Sequence, residues 1–235
     1  MSKNFDDLLS KLKVAEKKRL AVAVAQDEPV LEAVKAAKDR GIAEAILVGD
    51  KAKIEEVAIK IDMDLTDFEI IHEEDIKKAA LKAIQLVSSG EADMVMKGLV
   101  DTATFLRSVL NKEVGLRTGK LMSHVSVFEI EGIDRLILLT DAAFNTYPDL
   151  KEKVQIINNS VMVAKACGIQ NPKVAPVCAV EVVNPDMPAT VDAALLSKMS
   201  DRGQIKGCIV DGPLALDNAL SEDCLLYTSP SPRDA

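Results

Sequence analysis

The sequence has no tryptophan, and aromatic residues make up only 3% of its 235 positions. With 48% hydrophobic residues overall, the core must be built from Ala, Val, Ile, Leu and Met. That composition suits an α/β protein and disfavours an aromatic-rich sandwich, a collagen-like chain or a disordered one. No run of eighteen or more uncharged apolar residues occurs, so no membrane span is expected. The segment from Met1 to Lys18 is charged throughout and lacks an apolar stretch of signal-peptide type. Cys167, Cys178, Cys208 and Cys224 show no CxxC spacing, which argues against a disulfide framework and against structural zinc. A soluble cytoplasmic protein is the expectation.

Catalytic signatures are also missing. There is no GxGxxG, GxxxxGK[ST], HExxH or GxSxG, so dinucleotide, P-loop, zincin and hydrolase-elbow chemistries lose support. The only histidines are His72 and His124, neither at ligand spacing from a Cys or carboxylate. His72 reads as a surface residue. His124, inside an apolar run, reads as a hydrogen-bonded structural residue. Cys178 and Cys208 lie in apolar runs and read as small core residues rather than nucleophiles.

What the chain does have is acidity with one basic island. The net charge of −8 disfavours a nucleic-acid partner. From Lys97 to Lys120, however, Lys97, Arg107, Lys112, Arg117 and Lys120 stand against Asp101 and Glu113, a local +3. Such an island is either an anion site or a solvated helix face.

Apolar runs alternate with stretches of helical period. Helices are expected over 5–19, 28–40, 51–60, 73–89, 102–110, 149–167, 187–199 and from 214 toward 223. Strands are expected over 20–25, 45–48, 68–71, 93–97, 174–180 and 208–210, with two further apolar runs at 123–130 and 136–139. This alternation implies βαβ units and a parallel, doubly wound sheet. The weakest joint, Glu131 to Asp134, sets a domain boundary after residue 132. Two α/β domains are expected, 1–132 and 133–223. Residues 224–235 are dense in Ser and Pro without periodicity, and read as a non-native, adapter-derived tail.

In an open α/β sheet, ligands bind beyond the carboxyl ends of the strands. The residues there include Gln26 and Asp27, Gly49 and Asp50, Lys97 and Gly98, Thr140 and Asp141, Glu181 and Asn184, and Asp211 and Gly212. A strand-end Lys97, a Gly98 that permits close backbone approach, and a helix start at Thr102 and Thr104 suit a phosphate. Arg107 could add a bidentate clamp. The competing reading makes Lys97 and Arg107 exposed solubilising charges, and spacing alone leaves the two even. Asp141 stands where a catalytic carboxylate would, yet a turn would use it equally well. Asp211 presents the same choice, and Asp192 is expected to face solvent.

Several stretches taken in order resemble the phosphate acetyl/butyryl transferase family, from Met1 to Asp223. They are residues 96–107 (MKGLVDTATFLR), 111–117 (NKEVGLR), 121–129 (LMSHVSVFE), 140–145 (TDAAFN), 178–193 and 207–218. The resemblance implies two three-layer α/β/α domains with mainly parallel sheets, similar to isocitrate and isopropylmalate dehydrogenases, with the site in the cleft between them. It implies transfer of a short-chain acyl group, acetyl or butyryl, between coenzyme A and inorganic phosphate. No metal or redox cofactor is implied, and coenzyme A is a substrate. A carboxylate would take the thiol proton while Arg and Ser groups hold the phosphate and the oxyanion. Substrate-binding candidates are then Lys97, Gly98, Thr102, Thr104, Arg107, Ser123, Thr140, Asn145, Asp211 and Gly212, with Asp141 a catalytic candidate. The implied partners are acyl-CoA and phosphate, with no nucleic acid or membrane and a homo-oligomeric full-length parent.

Two other classes compete: a phosphate- or nucleotide-binding module without turnover, and a decarboxylating dehydrogenase, for which no set of metal-binding Asp residues is recognisable. The family's Ser-Arg-x-x-Ser segment falls in a continuation that this sequence does not carry, so the expected reading is a truncated, inactive member. In a thiol-release assay with butyryl-CoA and phosphate, the 235-residue chain should give no turnover above buffer. Robust turnover would overturn that expectation.

Overall fold

The computed structural model describes residues 2–12 and 16–220. It divides into two compact units, residues 6–119 and residues 2–5 with the chain from 120 onward. The expectation for the tail over 224–235 lies outside the described residues.

The unit over 6–119 opens with α1 (Phe5–Leu12), shorter than the helix expected to Arg19. Then follow β1 (Lys18–Ala23), α2 (Glu28–Asp39), β2 (Ala43–Gly49), α3 (Lys51–Lys60), β3 (Glu69–His72), α4 (Ile76–Ser88), β4 (Met94–Lys97) and α5 (Thr102–Val109). The strands form one parallel sheet in the order β3-β2-β1-β4. Because β4 returns to the far side of β1, the switch point lies between β1 and β4.

The sheet is covered on both faces, as buried parallel sheets are. Ile46 and Val48 of β2 meet Ala79, Ala80, Ala83 and Leu86 of α4. Ala45 and Leu47 meet Val30, Leu31 and Val34 of α2 and Ile54 and Ala58 of α3. The alanines of α4 remove side-chain bulk where the helix lies on the sheet. Along β1 the alternation is regular through Leu20, Ala21, Val22 and Ala23, and then breaks. Val24 joins Ala21 and Ala23, while Ala25 joins Val22. The cause is local: fully buried Val24 has φ +61°, a left-handed conformation costly for a β-branched residue, which turns the chain by one place.

Aspartates start the helices. Asp50 accepts from the N–H groups of Ala52 and Lys53, Asp75 from Lys78, and Asp149 forms a reciprocal box with Glu152. Asp27 occupies the N-cap of α2, but its side chain makes no cap hydrogen bond.

In the other unit, β5 (Ser126–Phe128) pairs antiparallel with β6 (Ile137–Leu139), the antiparallel pair among otherwise parallel described strands, within the mainly parallel expectation. Pairing across the Glu131–Asp134 turn joins the two sides of the expected boundary at 132. The unit therefore begins at residue 120 instead. Next come α6 (Leu150–Ala166), β7 (Lys173–Val174), α7 (Pro188–Asp201), β8 (Ile209–Val210) and α8 (Leu216–Leu220). β7 and β8 are parallel, and their core is Ile157, Val161, Leu196, Ile205 and Val210. The strand expected over 174–180 stops early. Pro176 has no N–H for the ladder, and the pairing resumes only at the isolated bridge of Val177 with Leu214.

Leu47 is wholly buried beneath α2 and α3, whereas Ile59 is 80% exposed. Leu47→Ala should cost about 2–5 kcal/mol in urea unfolding. Ile59→Ala should stay within about 0.5 kcal/mol. Equal costs would contradict this core assignment.

Candidate functional site

At the switch point, Lys97 ends β4 directly opposite Ala23 of β1. The N–H groups of Gly98 and Leu99 donate to the carbonyls of Ala23 and Val24 at 2.8 Å each. A Cβ on Gly98 would overlap the Val24 carbonyl and come within 2.6 Å of the Ala23 oxygen, so only glycine fits. Lys97 is exposed and makes no ion pair among the described residues.

The start of α5 differs from the phosphate cradle expected there. Asp101 caps it, its Oδ1 accepting from the Thr104 N–H at 2.8 Å. Hydrogen bonding from the Thr104 hydroxyl and then its N–H outweighs burial, and holds the Asp101 carboxyl below the usual carboxylate range. An anion thus already occupies the positive end of this helix. Thr102 is exposed in the first turn and Thr104 is buried. Arg107 folds back along its own helix, with Nε donating to the Ala103 carbonyl at 3.1 Å and Nη2 to Thr104 Oγ1 at 3.4 Å. Arg107 lines a pocket of about 210 Å³ with Lys77, Leu81, Thr104, Ser108 and Asn111.

A second set of candidates gathers in the other unit. Asp141 Oδ1 accepts from the N–H groups of Ala143 at 2.9 Å and Phe144 at 3.0 Å, and Oδ2 from the Asn145 amide. Burial works to raise this carboxyl. The two backbone N–H groups and the amide outweigh it and hold Asp141 below its ordinary range. The Asn145 amide also donates to the Met122 carbonyl at 3.0 Å, and the Thr140 hydroxyl to the His124 carbonyl at 2.7 Å. Ser123 Oγ accepts from the Asn159 amide at 2.8 Å. Thr140, Asp141, Asn145 and Ser123 therefore belong to one hydrogen-bonded pair of loops, pinned to α6.

Asp211 and Gly212 follow β8. The Asp211 N–H donates to Val174, and Gly212 sits against Pro176. Asp192 does not face solvent, since it pairs with Lys153 at 2.6 Å, both side chains about three-quarters covered. His124 also departs from expectation. Its Nδ1 is buried without a hydrogen-bond partner, and its ring meets Phe144 edge-on at 5.8 Å. Burial raises the thiols of Cys178 and Cys208, in keeping with unreactive residues. Among the described residues no group of His, Cys, Asp and Glu could hold a metal ion. No helix among them is long and apolar enough to cross a membrane.

The sequence reading missed Gln155 and Asn159, which hold the 121–123 loop from α6, and Lys77, Ser108 and Asn111 around Arg107. The first pair was visible in principle as two polar side chains four apart on a helix. Lys77 had no local signal, because only tertiary packing brings α4 beside α5.

The family model described as phosphate acetyl/butaryl transferase matches residues 4–80 and 71–230. The chain belongs to this family. It is 72% identical over 223 residues to a phosphate butyryltransferase of Clostridium acetobutylicum, covering 95% of this chain and 74% of that protein. A phosphate acetyltransferase of Thermotoga maritima is 44% identical over 206 residues, covering 88% and 70% respectively. Among solved structures, a branched-chain phosphotransacylase from Enterococcus faecalis superposes with a TM-score of 0.76 at 28% identity, covering 92% of this chain and 75% of that one.

Asp141 stabilises the loop only while ionised. Because its folded pKa is depressed, that contribution is present above its unfolded value of about 3.9 and is lost as pH falls through the folded value. Asp141→Ala should lower the urea midpoint at pH 7, and the gap from the parent should close as pH falls through the depressed folded value. A gap independent of pH would remove the carboxylate from this role.

Proposed function

We propose that the enzyme to which this sequence belongs exchanges a short-chain acyl group between coenzyme A and inorganic phosphate, with butyryl as the preferred group. The observation that carries the reading is the 72% identity, across 95% of the chain, to a phosphate butyryltransferase. The identity to a phosphate acetyltransferase is 44%. On this reading the two units are the two α/β/α domains of an isocitrate- and isopropylmalate-dehydrogenase-like fold. The enzyme is cytoplasmic and homo-oligomeric.

In the forward direction a phosphate oxygen attacks the thioester carbonyl. The carbonyl carbon becomes tetrahedral with the charge on its oxygen, and collapse expels the coenzyme A thiolate, which takes up a proton. In reverse, the thiol loses its proton and the thiolate attacks the acyl-phosphate carbonyl. Oxidation states are unchanged throughout, so the exchange calls for no redox cofactor.

The cations Lys97 and Arg107, with the hydroxyl of Thr102, are assigned to the phosphate. Gly98 brings the backbone of that segment close to the end of β1. Thr140 and Asn145 hold the loop over Ser123, which is assigned to the substrate with Asp211 and Gly212. Asp141, with both oxygens engaged, is assigned to loop geometry rather than to proton transfer.

The test compares the chain with a version in which residues 1–223 are joined to the stretch of the C. acetobutylicum relative that its match leaves uncovered. Coenzyme A release is measured with butyryl-CoA or acetyl-CoA and phosphate. The joined protein should turn over, preferring butyryl by roughly 10–200-fold for each methylene. Arg107→Ala in it should lower kcat/KM by about 10²–10³. Equal use of both acyl groups would overturn the butyryl assignment, and absence of turnover with either would overturn the reaction.

A further inference from the structure

The chain holds five Phe and two Tyr, and two of these aromatics, Phe144 and Tyr147, fall on one loop. That loop follows β6 and carries Thr140, Asp141 and Asn145, at the end of the β5–β6 pair where Ser123 also lies. The two rings are in different conditions. Tyr147 is 95% exposed, whereas Phe144 is 37% exposed and held at two points. The Phe144 N–H donates to Asp141 Oδ1 at 3.0 Å. Its ring meets the His124 ring edge-on at 5.8 Å, with the two planes 71° apart. His124 is fixed in turn through its carbonyl, which accepts from the Thr140 hydroxyl at 2.7 Å.

Folding alone does not account for this seat. The His124 ring buries Nδ1 without a hydrogen-bond partner, so a polar atom loses water and gains nothing in exchange. Phe144, left partly open, recovers only part of the gain that full burial would give. An unsatisfied buried nitrogen and a partly open ring, held together among candidate substrate residues, fit a surface kept for a ligand.

The groups assigned to the substrate in this unit do not serve the hydrocarbon end of an acyl thioester. Ser123, Thr140, Asn145 and Asp211 offer hydroxyl, amide and carboxylate groups, and Gly212 has no side chain. Such groups suit a carbonyl or a phosphate, but the chain beyond the carbonyl needs apolar contact. Phe144 supplies it on the same pair of loops.

We propose that the Phe144 ring, seated on His124, is the wall against which the acyl chain of the thioester lies, which makes Phe144 a specificity-determining residue. The proposal rests on the acyl-transfer reading and deepens its butyryl assignment. Acetyl carries one methyl group beyond the carbonyl and gains little from such a wall. Butyryl carries two further CH₂ groups, each worth about fourfold in affinity when removed from water. The edge contact with His124 holds the ring before the chain arrives, so little freedom is lost on binding.

The test is equilibrium binding of acetyl-CoA and butyryl-CoA to the joined protein, by titration calorimetry without phosphate so that no turnover occurs. The parent should bind butyryl-CoA about tenfold more tightly than acetyl-CoA. Phe144→Ala should bring that ratio within about twofold by weakening butyryl-CoA alone. Phe144→Leu, which keeps an apolar wall, should hold it above about fivefold. Tyr147→Ala removes an exposed aromatic from the same loop and should leave the ratio unchanged. The wall is overturned if the ratio survives Phe144→Ala, or if Tyr147→Ala lowers it as much. A loop that simply collapses would weaken both thioesters alike at a constant ratio, which overturns it too. Failure of the underlying reading looks different, because it shows in the parent. A parent that binds neither thioester removes the coenzyme A reading, one that binds both equally removes the butyryl preference, and the wall falls with either.

Discussion

The seating of Gly98 against the end of β1 is the contact on which the candidate site in residues 6–119 depends. Two hydrogen bonds carry the β1–β4 ladder beyond the strands, to Val24 one residue past β1 and Leu99 two residues past β4. The carbonyls of Ala23 and Val24 leave no room for a side chain at position 98. Val24 is in turn strained into the left-handed region, and that turn moves Ala25 to the opposite face of the sheet. Strain held by a buried, fully paired surround is the kind that persists at ligand-binding ends of sheets. The start of α5, and hence the bearing of Arg107, is set by this junction.

A second theme is where the acidity resides. Asp50, Asp75, Asp101 and Asp149 each cap a helix, and Asp141 does equivalent work in a loop. These carboxylates satisfy N–H groups that would otherwise face water or one another. The cations at the candidate site are in the opposite condition: Lys77, Lys97 and Arg107 form no ion pair among the described residues. On the acyl-transfer reading, the phosphate is met by side-chain cations that form no ion pair among the described residues. A bare helix N-terminus does not meet it, because Asp101 has taken that position at α5.

Much of the fold was legible because its signals are local. α3 spans 51–60 as its period indicated, and the parallel sheet follows from alternation of short apolar runs with helices. Departures from the local pattern have physical causes. The early stop of β7 came from Pro176, whose missing N–H outweighed an apolar pattern. The antiparallel β5–β6 pair, within the mainly parallel expectation, arose where no helix intervenes between the runs. At the candidate site, Gly98, Thr104 and Arg107 were readable from spacing along one segment. Lys77, Gln155 and Asn159 were not, since each acts across a tertiary contact. His124 shows the limit most directly, because an apolar run fixed its burial but not whether a partner would meet Nδ1.

The position of Asp141 illustrates how place alone misleads about chemistry. A carboxylate just after a strand is where a base belongs, but a base needs an unengaged lone pair and an affinity for protons matched to its task. A thiol ionises near pH 8.5, about five units above an unperturbed carboxylate. The turn donors depress Asp141 further and so widen that gap. The same donors make the ionised group an effective anchor, holding Asn145 against Met122. Geometry that perfects the residue as a structural anion therefore weakens it as a proton acceptor. The two roles are exclusive, and the hydrogen bonds to Ala143, Phe144 and Asn145 favour the structural one.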